Sequence, residues 1–175
     1  MAQYFIVEYI DVPEFSGKSG FSRVYLPVYD DANEILCHCG KKGCLETEAS
    51  GSALHRILLE RIGKGESSIL SKRTIENPPT LDEIITAVNK VDLLCIEIVE
   101  EIGQKLGRQI AGLISIFNPE LVIIGGTLSS TGDYIVQPIK TAILEIGYHD
   151  TNLFCLFSVT NYRFAFLYII IVFLV

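Results

Sequence analysis

Positive charge is scarce in this chain. Its 14 Lys and Arg face 21 Asp and Glu, for a formal net charge of −7 and a pI of about 4.9. Nucleic-acid phosphates call for clustered Lys and Arg, so this segment is expected to contact no nucleic acid. Long apolar runs are also missing. The closing stretch Phe164–Val175, FAFLYIIIVFLV, has twelve uncharged residues, against the roughly 20 that a bilayer-spanning helix needs. Membrane insertion is therefore not expected. The opening residues, MAQYFIVEYIDVPEF, carry no basic n-region and no small-residue cleavage site, so they do not read as a signal peptide. There is no internal repeat and no low-complexity linker. What remains is a chain of 175 residues, 49% of them hydrophobic, which suits one medium domain or a piece of a larger one.

Cysteine usage is uneven. Of the five, Cys37, Cys39 and Cys44 fall within eight residues, whereas Cys95 and Cys155 each sit alone in an apolar stretch. An odd count in this pattern is a poor disulfide framework and fits a reducing, cytoplasmic compartment with one metal cluster. In Cys37-His-Cys-Gly-Lys-Lys-Gly-Cys-Leu-Glu46 the thiols stand two and five residues apart. Zinc takes about four tetrahedral ligands and favours thiolates, and Gly40 and Gly43 let the backbone fold Cys44 back toward the other two. A reduced surface loop is the plainer alternative. A fourth ligand is not obvious. His38 lies between two cysteines and should point away from a metal that they share. His55 falls on the following helix and serves equally well as cover for it, and Glu46, Asp30, Asp31 or water could complete a weaker site.

The hydrophobic pattern gives an α/β order. Tyr4–Val12 and Val24–Tyr29 read as strands. A helix is expected from about Ser52 to Ile62, with Ser50 or Ser52 as cap and Gly63 as stop. Thr80 and Glu83 form a capping-box pattern that opens another. A long helix should run from about Asp92 to Phe117, with Cys95, Val99, Ile102, Leu106, Ile110 and Leu113 on one face. Its Gly103 and Gly107 suggest either close approach of a neighbouring backbone or a merely tolerated pair. Asn118-Pro119 ends that helix. Glu120–Gly126 then reads as a buried strand, Thr127–Asp133 as a turn-rich loop, and Tyr134 to about Ile146 as a last helix. Three readings of the closing stretch stay open: a transmembrane helix, a buried β-strand favoured by its β-branched and aromatic residues, or a translation artefact. The loss of charged residues after Asp150 favours the last.

Cys37, Cys39, Gly40, Gly43, Cys44 and Glu46 together spell CxCGxxGCxE, which resembles the zinc loop of the ROK family of sugar kinases and sugar-responsive repressors. Thr47-Glu-Ala-Ser-Gly51 continues the resemblance, as does Phe117-Asn-Pro-Glu-Leu-Val-Ile-Ile-Gly-Gly126; it covers roughly residues 17–142. It implies an actin-like ATPase (ribonuclease H-like) α/β fold, of which this chain would hold a partial lobe with a zinc-loop insertion. It also implies Cys37, Cys39 and Cys44 as ligands of a structural Zn2+. Glu46 would accept hydrogen bonds from the hydroxyls of a hexose or N-acetylhexosamine. Gly125 and Gly126 would form the turn near bound nucleotide, with ATP and Mg2+ as cofactors only if the complete protein is a kinase. The complete protein would be a homo-oligomer. The residue-level alternatives are an exposed carboxylate at a helix start for Glu46 and an ordinary strand-end turn for the glycines.

Departures from the family pattern shape the expected function. The family's upstream Glu-x-Gly-His has no counterpart in Gly20-Phe-Ser-Arg-Val-Tyr-Leu-Pro27, where Tyr25 stands nearest the His position and a phenol is a poor zinc ligand. No general base is recognisable for phosphoryl transfer. The expected organisation is an unassigned segment at 1–16, a partial sugar-binding or kinase-like domain at 17–146 and an aberrant hydrophobic tail at 147–175, as in a truncated or frameshifted product. The expected function is the zinc-stabilised sugar-binding body of a repressor, without catalysis. A fragment of an ATP-dependent hexose kinase is the alternative.

Overall fold

A computed structural model describes residues 5–10, 22–24, 35–37, 40–117, 121–146, 156–160 and 168–174. Among these residues five strands, β1 (Phe5–Ile10), β2 (Ser22–Val24), β3 (Leu121–Gly125), β4 (Leu156–Thr160) and β5 (Tyr168–Leu174), form one mixed sheet in the order β2-β1-β5-β3-β4. β1 runs antiparallel to β2 and parallel to β5, and β3 runs antiparallel to β5 and parallel to β4. Ile123 is thus in register with Ile170 on one side and Ser158 on the other. Within the closing stretch Tyr168–Leu174 forms a strand, as one of its readings expected. Its β-branched and aromatic residues suit a pleated ladder, and among the described residues no helix is long and apolar enough to cross a membrane.

Among the described residues five α-helices accompany the sheet: α1 (Glu46–Ala49), α2 (Gly51–Gly63), α3 (Leu81–Asn89), α4 (Leu93–Phe117) and α5 (Asp133–Glu145), with a 3-10 turn at Thr127–Thr131 between β3 and α5. The strand–helix–strand order at β3–α5–β4, with β3 and β4 parallel, is the α/β arrangement expected from the sequence. α2 begins at Gly51, where the Ser50 hydroxyl accepts from the Ala53 amide at 3.1 Å. Its stop differs from expectation: Gly63 is still helical, and the left-handed residue is Gly65, at φ +96°. α3 has the full capping box, with Glu83 N–H donating to Thr80 Oγ1 (3.2 Å) and Thr80 N–H to Glu83 Oε2 (2.8 Å).

α4 is the centre of the core. Cys95, Val99, Ile102, Leu106, Ile110 and Leu113 are all buried, as their spacing requires. They meet Leu54 and Leu58 of α2, Ile84 and Val88 of α3, Ile135 and Ile139 of α5, and Val122 and Ile124 of β3. Each such side chain contributes about 1.5–3 kcal/mol by leaving water. Gly103 and Gly107 face α5. A Cβ on Gly103 would lie 3.0 Å from the Ile135 carbonyl oxygen and from Pro138 Cβ. The glycine pair therefore marks a close backbone approach and is not merely tolerated.

α4 starts at Leu93, directly after Asp92, where the sequence placed it, but the role of Asp92 was not legible. Asp92 is buried and caps the helix: its Oδ1 accepts from the Cys95 amide at 3.0 Å, while Oδ2 accepts from Ile69 N–H at 2.7 Å. One carboxylate thus closes the helix and pins the preceding connection onto it.

Candidate functional site

The cysteine loop is built by two left-handed glycines. Gly40 (φ +82°) and Gly43 (φ +75°) turn the chain, and the turn is closed by Cys37 N–H donating to Lys41 O at 2.8 Å and Gly40 N–H to Cys37 O at 2.9 Å. Cys37 and Cys44 are both buried, and neither is in a disulfide. The Cys44 carbonyl accepts from the Thr47 amide (3.0 Å) and from the Thr47 hydroxyl (2.7 Å), which starts α1 directly after the loop. Thiolates are preferred zinc ligands, but among the described residues no three His, Cys, Asp or Glu side chains gather into a metal site. Cys39, His38, Tyr25, Asp30 and Asp31 lie outside the described residues.

Glu46, the first residue of α1, lines a pocket of about 170 Å³ together with Ile35, Leu36, Cys37, Thr47, Ser52, Ala53 and Arg56. Glu46 and one loop cysteine therefore share a wall. Arg56 was not singled out by the sequence. Its Nη2 donates to the Thr47 carbonyl at 2.9 Å and its Nη1 to Glu60 at 3.1 Å. Hydroxyls of Thr47 and Ser52 add polar groups, and the partly exposed Ile35 and strongly exposed Leu36 supply an apolar side. One carboxylate, one guanidinium, two hydroxyls and an apolar face suit a small polyol ligand.

His55 does not join this site. It is absent from the pocket wall and hydrogen-bonds the Pro79 backbone ahead of α3. Burial pushes its pKa down, offset in part by that bond, and its Nε2 has no hydrogen-bond partner. Cys95 is likewise separate. Burial and the neighbouring Asp92 carboxylate push its thiol up to about 12, which makes it inert. Cys155 lies outside the described residues.

Gly125 and Gly126 end β3 and are buried. Gly126 has φ +97°, which a side chain would resist, and its carbonyl accepts from the Ser129 amide (3.0 Å) and the Ser129 hydroxyl (2.6 Å). Gly132, at φ +59°, then opens α5. The strand-end turn is thus real and self-bonded.

The comparisons with known proteins agree with this geometry. A family model described as the ROK family matches residues 15–160. The glucokinase of Thermotoga maritima is 33% identical over 132 residues, which is 74% of this chain and 41% of that protein. The DNA-binding transcriptional dual regulator NagC of Escherichia coli K12 is 35% identical over 107 residues, 61% of this chain and 25% of NagC. The chain thus spans less than half the length of the relatives it matches. The crystal structure of a ROK family transcriptional regulator, a homologue of E. coli Mlc, superposes with a TM-score of 0.72 at 24% identity, covering 93% of this chain and 43% of that one. That similarity speaks for the shared fold.

Proposed function

This chain belongs to the ROK family, and from that premise we propose that it is the zinc-stabilised, sugar-binding body of a transcriptional repressor, without kinase activity of its own. The observation that carries the reading is the pocket on which Glu46, Cys37 and Arg56 meet. Glu46 is the one carboxylate among its described lining residues. An ionised carboxylate accepts hydrogen bonds only, so Glu46 suits two neighbouring hydroxyls of a hexose or N-acetylhexosamine. Phosphoryl transfer would need a general base within reach of the attacking hydroxyl as well, and the described wall offers no second carboxylate.

Cys37 and Cys44, with Cys39, would hold the metal. Zinc, when bound, supplies a cross-link that stiffens a short glycine loop. The loop leads straight into α1 through the two bonds to the Cys44 carbonyl, so a fixed loop fixes Glu46. Actin-like architecture with a zinc-loop insertion, a cytoplasmic setting and homo-oligomer formation by the complete protein belong to the same reading.

Kinase origin is the second reading, supported by the 33% identity of the T. maritima glucokinase over 74% of this chain, although a xylose repressor aligns with 77% of it. On that reading the Gly125-Gly126 turn would approach ATP bound with Mg2+ in the complete protein. Calorimetric titration with glucose and N-acetylglucosamine tests sugar binding, and a coupled ATP assay tests turnover. Sugar binding without glucose-dependent ATP turnover is expected. Turnover above background would move the chain to the second reading, and no binding of either sugar would end the first.

A further inference from the structure

Arg56 is placed to do more than line the pocket. α1 has four residues, and its N-cap, Leu45, makes no side-chain capping bond. A helix of one turn has almost no stability of its own, because nucleation costs more than its few hydrogen bonds return. Something outside must therefore hold Glu46 in place. Leu45 and Ala49 pack into the core, and two cations on two other helices add polar ties. Arg56 of α2 donates from Nη2 to the Thr47 carbonyl at 2.9 Å, and Lys105 of α4 pairs with Glu48 Oε2 at 3.3 Å. The Lys105 pair is partly open to water, 38% and 20% exposed, and contributes little. The Arg56 bond is part-buried, charge-assisted and aimed at the residue directly after Glu46. The same guanidinium reaches Glu60 one turn along α2 with its other nitrogen, at 3.1 Å, in an exposed pair that adds little.

From this we infer that Arg56 is the positioning residue of the Glu46 site: it holds the α1 turn against α2 and so sets where the Glu46 carboxylate stands in the pocket. The inference rests on the sugar-site reading for its consequence, though not for its structural part. Arg56→Lys keeps the charge but has one nitrogen where two are needed to reach Thr47 and Glu60 together.

Two measurements test it. Amide hydrogen exchange of the full chain needs no ligand. In Arg56→Ala the amides of α1 should exchange at least tenfold faster, while those of α2 and α4 stay protected and Arg56→Lys recovers only part of the protection. Unchanged α1 exchange in Arg56→Ala overturns the inference whatever binds. The second is a double-mutant cycle on N-acetylglucosamine and glucose affinity. Arg56→Ala should weaken binding about tenfold on its own and have no further effect in a Glu46→Gln background. Losses that simply multiply would mean that Arg56 acts independently of Glu46 and would overturn the positioning role. If α1 loosens as expected but the wild-type chain binds neither sugar, the positioning role stands and the sugar reading is the one that fails.

Discussion

Gly107 of α4 lies so close to Ile139 of α5 that a Cβ built on the glycine would stand 2.5 Å from the Ile139 carbonyl oxygen and 2.7 Å from Ala142 Cβ. The two helices touch backbone to backbone there, and this contact brings α5, and with it the turn after β3, against the core.

Gly107→Ala should therefore destabilise the fold. Overpacking of a rigid contact costs about 1–3 kcal/mol, and the gain in helix propensity of about 1 kcal/mol offsets only part of it. Gly103→Ala should cost less, since its nearest neighbours lie at 3.0 Å. Gly112 is exposed with nothing within 4 Å of a Cβ, so Gly112→Ala should stabilise by up to about 1 kcal/mol. Denaturant melts of the three variants check the order; equal effects at Gly107 and Gly112 would contradict the close approach.

Val91 is the one non-glycine residue at positive φ among the described residues, at +62°, and it is exposed. It occupies the left-handed position that closes α3, where Val91 N–H donates to Val88 O and Asp92 N–H to Ala87 O. A β-branched residue is strained there by roughly 1–2 kcal/mol. Val91→Gly should relieve most of this and raise Tm by several degrees. A lower Tm would show that Val91 makes contacts that outweigh the strain.

Acid should weaken the protein in two stages. His55 has a folded pKa below its ordinary value because of burial. The unfolded chain then takes up a proton first, and stability falls as pH drops below about 6.5. For Asp92, burial works toward a higher pKa, but the amides of Ile69 and Cys95 outweigh it and hold the carboxyl below the usual range. Its contribution is intact above the unfolded value of about 3.9 and is lost as pH falls through the lower folded one. His55→Phe should lose less stability than wild type between pH 7 and 5.5, and Asp92→Ala should cost about 1 kcal/mol at pH 7 as a lost cap. Identical pH profiles for His55→Phe and wild type would refute the buried neutral imidazole.

Much of this was legible in the residues, for physical reasons. The α4 stripe announced itself because an apolar residue every third or fourth position over 25 residues has no other economical burial. The capping box was legible because it is local, as was the cysteine loop, whose glycines and thiols lie within ten residues. What escaped was set by tertiary contact. α1 is too short to show a period. The Asp92 bond to Ile69 joins residues 23 apart, and the Arg56 bond to Thr47 links two elements across a cap. β5 pairs with β1 at the opposite end of the chain, a partnership that no local pattern encodes.

The central claim is that a zinc-held cysteine loop fixes Glu46 in a sugar site. The most direct measurement titrates glucose and N-acetylglucosamine into zinc-loaded and chelator-treated protein, with zinc content read in parallel for wild type, Cys44→Ser and Glu46→Gln. About one zinc per chain is expected in wild type and Glu46→Gln, its loss in Cys44→Ser with a lower Tm, and sugar binding only where both zinc and Glu46 are present. Zinc-free protein that melts and binds sugar as the loaded form does would contradict the central claim.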